Sequence, residues 1–414
     1  MILPHLLVAT LIASTCFTTF AFGAPRLPND EVEALREIGR TLGKNWQFDV
    51  DPCSGELGWV TQKPVKGFEN NVTCDCTFSN SCHVVSIVLK SQNLSGVPPE
   101  LGKLPYLKEI DLTRNYLNGT IPPEWGSTQL VNISLLGNRL TGSIPKELGN
   151  ITTLGTLTVE FNQLSGNLPP ELGNLSHIER LGFSSNNFTG ELPTTFSKLT
   201  TLKEFRISDN NFTGTIPNFI TNWANLEKLE ILASGLNGPI PPGIASLKNI
   251  TVLRISDLNG TNTFPPVNNM RNLEKLILRS CNITGKIPEY LSNMTELKVL
   301  DLSFNRLSGE IPSSFKKLSG LDFMYLTGNL LVGPISDQIT SSVGGNIDLS
   351  YNNFTFENTG ALSCGGKLNL FRSSFGSNNS GTDLCSGSTT CLKRAFNPLK
   401  NQGTLDTKNL HGPS

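Results

Sequence analysis

The apolar residues of this chain recur in a frame of 23 or 24 residues, which is clearest in Leu297–Pro312. The frame reads L-x-x-L-x-L-x-x-N-x-L-x-G-x-I-P, and its central L-x-L places two apolar residues on one side of an extended segment. It therefore predicts a short strand in each repeat, with both residues of the pair in the core. The twelve pairs, all apolar, are Ile87/Leu89, Ile110/Leu112, Ile133/Leu135, Leu157/Val159, Leu181/Phe183, Phe205/Ile207, Leu229/Ile231, Leu253/Ile255, Leu276/Leu278, Leu300/Leu302, Met324/Leu326 and Ile347/Leu349.

One such repeat cannot cover its own apolar side, so neighbouring repeats must stack and bury it together. The pattern predicts a solenoid of about twelve repeats over residues 84–356, with the strands parallel in one ridge. The S/T-G-x-I/L-P tail and the segment after it are predicted to be turns and short helical pieces on the outer face.

An asparagine follows most of the strands and is predicted to turn the chain inward. Its amide can donate to and accept from backbone groups that the turn would leave buried and unpaired. This ladder position holds Asn115, Asn138, Asn162, Asn186, Asn210, Asn305, Asn329 and Asn352. The other four repeats have Gln92, Ser234, Leu258 and Cys281, of which leucine cannot replace the amide.

The eighth repeat departs from the frame twice, since Leu258 fills the ladder position and Asn262 replaces the glycine. We therefore predict that Asp257–Pro266 is irregular and bulges toward the inner face.

The outward positions of the strands predict a binding face, because solenoids present their parallel strands as a concave surface. Charge is densest in repeats six to nine, and we predict that this band binds the ligand. Its residues are Arg206, Glu230, Arg254, Asp257 and Arg279. The alternative is a solvated face whose opposite charges pair laterally between neighbouring strands.

The N-terminal residues predict export. Residues 1–23 form an apolar run that ends in small residues, which is typical of a cleaved secretory signal peptide, with an uncleaved anchor as the alternative. Residues 24–83 are predicted to form a cap on the first repeat. This cap has apolar residues at helical spacing in Asp30–Leu42, and it includes Trp46 and Trp59.

Cysteine usage agrees with export, because disulfides are typical of secreted domains. The cap contains Cys53, Cys74, Cys76 and Cys82. A metal site is less favoured, since no second histidine lies near them. Cys74 and Cys76 are too close to pair with each other, which leaves two connectivities; of these we favour Cys53–Cys74 with Cys76–Cys82. Cys281, at a ladder position, is predicted to be a buried free thiol.

Sequons for N-glycosylation are frequent. We predict glycans on Asn71, Asn93, Asn118, Asn150, Asn174, Asn187, Asn211, Asn249, Asn259, Asn282, Asn293, Asn353 and Asn378. Many of these residues follow the ladder position or end the outer helical piece, so glycans would coat the flank and the outer face. One further sequon, Asn132, begins a strand and is predicted to be poorly occupied.

No residues point to catalysis. Lys and Arg number 33 against 34 for Asp and Glu, so no bulk field would attract nucleic acid or an anionic membrane. The kinase motifs G-x-G-x-x-G, V-A-I-K, H-R-D and D-F-G are absent. The four histidines are scattered, which argues against a triad or a zinc site. We predict no enzyme, no cofactor and no metal, and a function in surface recognition.

The tails LTGSIPKELGN and LSGEIP resemble the plant-type extracellular leucine-rich repeat. The segment 254–291, with RISDLNG and LILRSCNITGKIPEYL, and the N-terminal DPCSGELGW and VTCDCTFSNSCHVVSI narrow the resemblance. Together they are similar to the ectodomain of plant receptor-like serine/threonine kinases whose repeats precede a malectin-like domain. The resemblance covers about residues 30–395. It implies an α/β solenoid, a right-handed curved superhelix with its parallel β-ridge on the concave face and a disulfide-bonded N-cap.

The kinase domain and membrane span of such receptors have no counterpart among these residues. Residues 357–414, with Cys364, Cys385 and Cys391, are predicted to form a C-terminal cap and a polar tail. We predict a secreted, extracellular recognition module, at the plasma membrane only in a longer form. Its expected partner is an extracellular peptide, a cell-wall glycan or a co-receptor ectodomain. The alternative is a secreted inhibitor of a cell-wall hydrolase, similar to polygalacturonase-inhibiting proteins.

Overall fold

The computed structural model describes residues 26–56, 58–63, 65–77, 81–355 and 368–369. They fall into two compact units, the first ending at Glu204 and the second beginning at Phe205. The expected signal peptide, the three C-terminal cysteines, Asn378 and nearly all of the expected C-terminal cap and tail lie outside the described residues.

The N-terminal cap begins with helix α1 (Asn29–Leu42), close to its predicted bounds. Within it Leu35, Ile38 and Leu42 are buried, Val32 is only half-buried, and the charged residue Glu31 is buried. The Glu31 carboxylate is satisfied there, because Oε2 accepts a hydrogen bond of 2.9 Å from the amide of Val84 and Oε1 contacts Nδ1 of His83. These contacts attach the helix to the first parallel strand.

Two disulfides, Cys53–Cys74 and Cys76–Cys82, close the cap with the connectivity favoured from the sequence. Three of these cysteines lie in or directly beside strand β1 (Asn70–Asp75) or β2 (His83–Leu89), which pair antiparallel. The cap is thus covalently joined to the strand on which the repeats begin.

In the first unit β2 starts a series of short parallel strands, one in each repeat, that pair in register. These strands are β3 (Glu109–Asp111), β4 (Asn132–Ser134), β5 (Thr156–Thr158) and β6 (Arg180–Gly182). Strand β7 (Glu204–Arg206) contains the last residue of the first unit and the first two of the second.

The second unit continues the pattern with parallel, in-register strands. They are β8 (Lys228–Ile231), β9 (Val252–Ser256), β10 (Lys275–Arg279), β11 (Val299–Asp301), β12 (Phe323–Tyr325), β13 (Ile347–Asp348) and β14 (Leu368–Asn369). All twelve predicted apolar pairs are buried in the two units, which confirms the predicted core and the leucine-rich-repeat solenoid fold.

The sequence reading missed a second set of strands, since it assigned the S/T-G segment to turns. In the first unit, Asn118–Gly119 pairs with Arg139–Leu140, and Ser165–Asn167 pairs with Asn187–Gly190. In the second unit the paired strands are Asn262–Thr263, Ile283–Lys286, Arg306–Gly309, Leu330–Pro334 and Asn353–Thr355. A further strand spans Asn211–Phe212. The equal length of the repeats places these segments side by side, so their backbone groups pair whatever side chains they carry.

The outer helical pieces have the predicted type. Most are five-residue 3-10 helices that follow directly on the proline of the I/L-P pair, which holds the preceding residue extended and gives each helix its start. They are Pro99–Lys103, Pro123–Ser127, Lys146–Asn150, Pro170–Asn174, Thr194–Lys198, Asn218–Asn222, Pro242–Ser246, Glu289–Asn293 and Ser313–Lys317. In the next repeat a short α-helix, α2 (Asp337–Ser342), takes their place.

Asn305 shows why the ladder position holds asparagine. Its Oδ1 accepts hydrogen bonds of 3.0 Å from the amides of Cys281 and Ile283. Its Nδ2 donates to the carbonyl oxygens of Leu278 at 2.6 Å and Leu302 at 2.9 Å. The backbone groups that the inward turn buries are thereby paired. The same arrangement recurs at Asn115, Asn138, Asn162, Asn186, Asn329 and Asn352.

Cys281 partly replaces the asparagine amide in its repeat. The thiol lies 3.4 Å from the carbonyl oxygen of Ile255 and 3.3 Å from that of Arg279, where Nδ2 would otherwise donate. Burial raises the pKa of this thiol to about 12, so it stays protonated and can donate. The predicted buried free thiol is confirmed.

A residue with a left-handed backbone precedes every ladder position, which the sequence reading did not predict. The φ angles lie between 47° and 71° at Ser91, Arg114, Gly137, Phe161, Ser185, Asp209, Ala233, Asp257, Ser280, Phe304, Gly328 and Tyr351. This conformation is uncommon for residues with a side chain. Because only two of the twelve are glycine, residue type gives no signal for it; the turn out of each strand imposes it.

The eighth repeat is anchored in a different way. Leu258 is buried in the core, and Asn262 is also buried, with Oδ1 accepting from the amide of Ile240 at 3.2 Å and Nδ2 donating to the carbonyl of Cys281 at 2.6 Å. The left-handed glycine of this repeat is Gly260, with φ 87°. Leu258 and Asn262 both point into the core. In this repeat, therefore, Asn262 pairs buried backbone groups and the residue at the ladder position does not.

Candidate ligand-binding face

The predicted ligand-binding residues lie on the strand face of the second unit, which we define as the residues that alternate with core residues in β7 to β13, together with the residues at the strand ends. Glu230, Arg254 and Ile277 are in register in neighbouring strands. Arg206 occupies the equivalent position in β7, where the amide of Ile207 donates to the carbonyl of Glu230 at 3.0 Å. Arg206, Glu230 and Arg254 therefore form one row.

Arg254 is held loosely in this row. Its Nη1 lies 3.7 Å from Oε1 of Glu230, which is longer than a hydrogen bond, and the two side chains are 29% and 20% exposed. The Nε of Arg254 is buried and has no hydrogen-bond partner among the described residues. Because a buried donor without an acceptor costs free energy, this guanidinium is suited to take a carboxylate from another molecule.

Two of the five predicted residues stand apart from the row. Arg279 is in register with Ser256, and its Cζ lies 4.6 Å from the ring centre of Phe304. Asp257 is exposed at the end of β9, where its carboxylate accepts a hydrogen bond from the hydroxyl of Ser256. The structure thus brings together Arg206, Glu230 and Arg254, and it places Arg279 and Asp257 at the strand ends.

Phe304 is a surface residue that sequence reasoning missed. Its side chain is 41% exposed and lines a shallow depression of about 370 Å³ together with Ser280, Asn282 and Arg306. A side chain at Gly328 would overlap the Phe304 ring, so glycine leaves the ring its place. The sequence carried no signal, because only two of the other eleven repeats, with Phe161 and Tyr351, have an aromatic residue at the position of Phe304.

The alternative interpretation, in which strand-face charges pair laterally, applies to the first unit. There Nζ of Lys90 lies 3.1 Å from Oδ2 of Asp111 and 3.9 Å from Oε2 of Glu69. These charges satisfy one another, whereas the contact between Arg254 and Glu230 is looser. The first unit also contains a loose pair, since Nε of Arg180 lies 3.7 Å from Oε1 of Glu204. The buried Nε of Arg254, which has no partner among the described residues, makes the second unit the better candidate for binding.

The predicted glycosylation sites are mostly accessible. The exposed asparagines are Asn93, Asn118, Asn150, Asn174, Asn187, Asn211, Asn249, Asn259, Asn293 and Asn353. Asn71 and Asn282 are half-buried, and Oδ1 of Asn71 accepts a hydrogen bond from the amide of Thr61.

We expect Asn132 to be occupied less than Asn187 and Asn211. It is half-buried in β4, which is paired on both sides, whereas the other two begin strands of the second set and are exposed. Peptide mapping after enzymatic deglycosylation measures the occupancy. Full occupancy of Asn132 with empty Asn187 and Asn211 would contradict this assignment of faces.

Within the described ranges, no group of three or more His, Cys, Asp or Glu residues is arranged to hold a metal ion. None of the helices in this part of the chain combines the length and the apolar character that a membrane span requires.

Family models for leucine-rich repeats match four segments of the chain. One, described as Leucine rich repeat, matches residues 271–331, and another, Leucine Rich Repeat, matches residues 106–128, 177–199 and 201–223. These segments fall in the repeats of both units.

Two curated relatives are probable receptor-like kinases of Arabidopsis thaliana. One probable receptor-like serine/threonine-protein kinase with leucine-rich repeats is 53% identical over 362 residues, which cover 86% of this chain and 35% of the relative. Another is 52% identical over 156 residues, which cover 36% of this chain and 15% of the relative. The chain therefore spans about a third or less of the length of these relatives.

Solved structures agree with this comparison. The ectodomain of the Arabidopsis receptor kinase HAESA, in complex with an extended IDA peptide hormone, has a TM-score of 0.69 and 30% identity, with 84% of this chain and 61% of that chain covered. A HAESA complex with the hormone IDA and the co-receptor SERK1 has a TM-score of 0.68, 29% identity and coverage of 84% and 62%. The chain is thus a leucine-rich-repeat protein, similar over most of its length to the ectodomains of plant receptor-like kinases.

Proposed function

We propose that this chain is an extracellular recognition module that binds a secreted peptide or the ectodomain of a co-receptor on its strand face. The observation that carries the proposal is Arg254, with its buried, unpartnered Nε and its loose ion pair to Glu230. The similarity to HAESA, whose structure was solved with a peptide hormone and a co-receptor, supports the same class of partner. The proposal does not extend to a cell-wall glycan.

The row Arg206–Glu230–Arg254 would orient such a partner. An arginine presents a planar fork that holds a carboxylate in two hydrogen bonds, so two arginines separated by a glutamate favour acidic groups in alternating positions. Arg279 and the exposed ring of Phe304 add a cationic and aromatic contact at the strand ends. Signal transmission through a kinase would belong to a longer receptor form at the plasma membrane.

We also propose that the parent receptor belongs to the subfamily whose repeats precede a malectin-like domain. The support is the segment 254–291 with its shifted eighth repeat. Sequencing of the transcript downstream of the codon for Ser414 tests this, because a malectin-like reading frame is expected there. A different extracellular domain in frame would contradict the subfamily assignment.

Charge reversal at Arg206 and Arg254 tests the binding face. The double variant Arg206→Glu with Arg254→Glu should weaken binding of a partner selected from a display library of secreted plant peptides by about tenfold or more, since charge-assisted hydrogen bonds contribute about 1.5–3 kcal/mol each. The salt dependence of the affinity should also fall. Isotherms at low and high salt, beside a melting curve, give both quantities.

A matched control is Lys248→Glu with Arg271→Glu, which changes the net charge equally at exposed residues of the outer turns. This control should leave the affinity unchanged. Equal affinities of the two double variants would overturn the proposed face. A large fall in melting temperature for the first variant alone would show that Arg206 and Arg254 stabilise the sheet instead.

A further inference from the structure

Three residues near the end of the strand face form a cluster outside the row Arg206–Glu230–Arg254. Asp301, Tyr325 and Asp348 occupy the same outward position in β11, β12 and β13, and the pairing register joins Asp301 to Tyr325 and Tyr325 to Asp348. Neighbouring strands lie about 4.8 Å apart, so one carboxylate flanks the tyrosine ring on each side. The ring of Phe323 stacks beside that of Tyr325, with centroids 6.2 Å apart and 21° between the planes.

Neither carboxylate has an ion pair among the described residues, although Asp301 is only 8% exposed. One oxygen of each is used by the backbone, since Asp301 Oδ1 accepts from the amide of Ser303 at 2.9 Å and Asp348 Oδ1 from that of Ser350 at 3.0 Å. Aspartate is rarely buried to this degree without a cation, because removing a charge from water costs free energy. Asp301 therefore presents a carboxylate with one oxygen held by the backbone and no cation beside it among the described residues.

The first unit contains the same arrangement with its cation present. Asp111 holds the equivalent position in β3, and its Oδ1 accepts from the amide of Thr113 at 3.0 Å. There the chain supplies Lys90, whose Nζ lies 3.1 Å from Oδ2 of Asp111. Asp301 and Asp348 have no such cation among the described residues, so another molecule can supply it.

The tyrosine reports the negative field of this cluster. Burial, and then the charges of Asp301 and Asp348, raise the pKa of the Tyr325 phenol. A neutral aromatic ring between two negative charges is suited to hold a cation.

The ligand set favours an organic cation over a metal ion. A calcium ion takes about six to eight oxygen ligands, whereas this cluster offers two carboxylates, and no group of three or more His, Cys, Asp or Glu residues in the described ranges is arranged to hold a metal ion. A guanidinium is planar, stacks on an aromatic ring and donates from several edges at once. It can lie on the Tyr325 ring and donate to a carboxylate on each side.

We propose that Asp301, Tyr325 and Asp348 form a docking site for an arginine side chain of the partner polypeptide. This inference deepens the proposed function and rests on it for the nature of the partner. The two ends of the strand face would then bind opposite charges. Acidic groups of the partner would lie over Arg206 and Arg254, and an arginine would lie over Tyr325.

The capped tripeptide acetyl-Gly-Arg-Gly-amide tests the site on the intact chain, with the citrulline peptide as a neutral isostere. Binding is followed by NMR of ring-labelled tyrosine. The arginine peptide should shift the Tyr325 resonance, and the citrulline peptide should bind at least about tenfold more weakly, because it lacks the charge that strengthens the hydrogen bonds. Equal binding of the two peptides would overturn the proposal.

The double variant Asp301→Asn with Asp348→Asn should weaken the arginine peptide by about tenfold or more. It should remain folded, because asparagine keeps the oxygen that accepts from the amides of Ser303 and Ser350. The matched control Asp111→Asn should leave the peptide affinity unchanged. Unchanged affinity in the double variant, or displacement of the peptide by millimolar calcium, would overturn the site.

This experiment separates the two proposals. The variant with Arg206 and Arg254 reversed should bind the arginine tripeptide as the natural chain does. Loss of the tripeptide only in the aspartate variant supports the docking site even if the row of arginines has no partner. Loss in both variants would show a disturbed sheet and overturn the inference.

Discussion

Replacement of Asn305 by alanine is expected to lower the free energy of unfolding by about 3–5 kcal/mol, because it leaves several buried backbone groups unpaired at about 1–3 kcal/mol each. Asn305 accepts from the amides of Cys281 and Ile283 and donates to the carbonyls of Leu278 and Leu302. Alanine replaces none of these bonds. Equilibrium denaturation, followed together with hydrogen exchange of the second unit, measures the loss.

The control for Asn305 is Asn272→Ala, which removes an exposed asparagine of the preceding repeat and should change stability by less than about 0.5 kcal/mol. The converse variant Cys281→Asn restores the amide where the thiol now lies 3.4 Å and 3.3 Å from two carbonyl oxygens. It should be tolerated. A loss below about 1 kcal/mol for Asn305→Ala would contradict the role assigned to the ladder.

Gly96→Ala is expected to displace helix α1 and to cost about 2–3 kcal/mol, in the range of overpacked substitutions. A Cβ at Gly96 would overlap the backbone oxygen of Thr41, which is close to the end of the helix. A backbone oxygen cannot rotate away as a side chain can. The helix must therefore shift, or the first repeat must open. The hydrogen bond from the amide of Ser95 to the carbonyl of Leu42, at 3.2 Å, should be lost with it.

Intrinsic fluorescence reports this change, because Trp46 and Trp59 are buried in the cap and stack with ring centroids 5.1 Å apart. Gly155→Ala is the matched control, since a Cβ there meets its nearest atom at 3.6 Å, an ordinary contact. The control should melt within about 1 °C of the natural chain, as expected for a free-energy change of a few tenths of a kcal/mol. Equal melting temperatures for both variants would show that the helix is not seated on Gly96.

The parallel strands and the ladder could be predicted because the same local residue pattern recurs in each repeat. The L-x-L pairs are apolar in every repeat, and the asparagine has one chemical reason to recur, which Asn305 displays. A departure from the pattern in one repeat does not hide the pattern, because the other repeats still show it. The burial of Glu31 could not be predicted in this way, because a glutamate in an amphipathic helix is expected to be exposed. Only the tertiary structure places Val84 and His83 beside its carboxylate.

The candidate site was predictable in its residue types and not in its arrangement. The sequence pattern predicts that Arg206, Arg254 and Arg279 belong to one charged band. In the structure Arg279 is instead in register with Ser256, and its guanidinium lies over the ring of Phe304. Whether two charges on neighbouring strands form a hydrogen bond or stay 3.7 Å apart depends on rotamers and on the packing around them. A sequence pattern gives no information on rotamers or on packing.

By itself, the sequence of this protein determined the repeat, its core pairs, the ladder and the disulfide cap, because these follow from the period and from short-range chemistry within about 25 residues. The tertiary structure decided what depends on residues that only stacking brings together. It paired the backbone of the S/T-G segments into a second set of strands and imposed a left-handed residue before every ladder position. It also placed Lys90 beside Asp111, whereas Asp301 has no ion pair among the described residues. These outcomes depend on the register between repeats, which stacking sets and which no single repeat encodes.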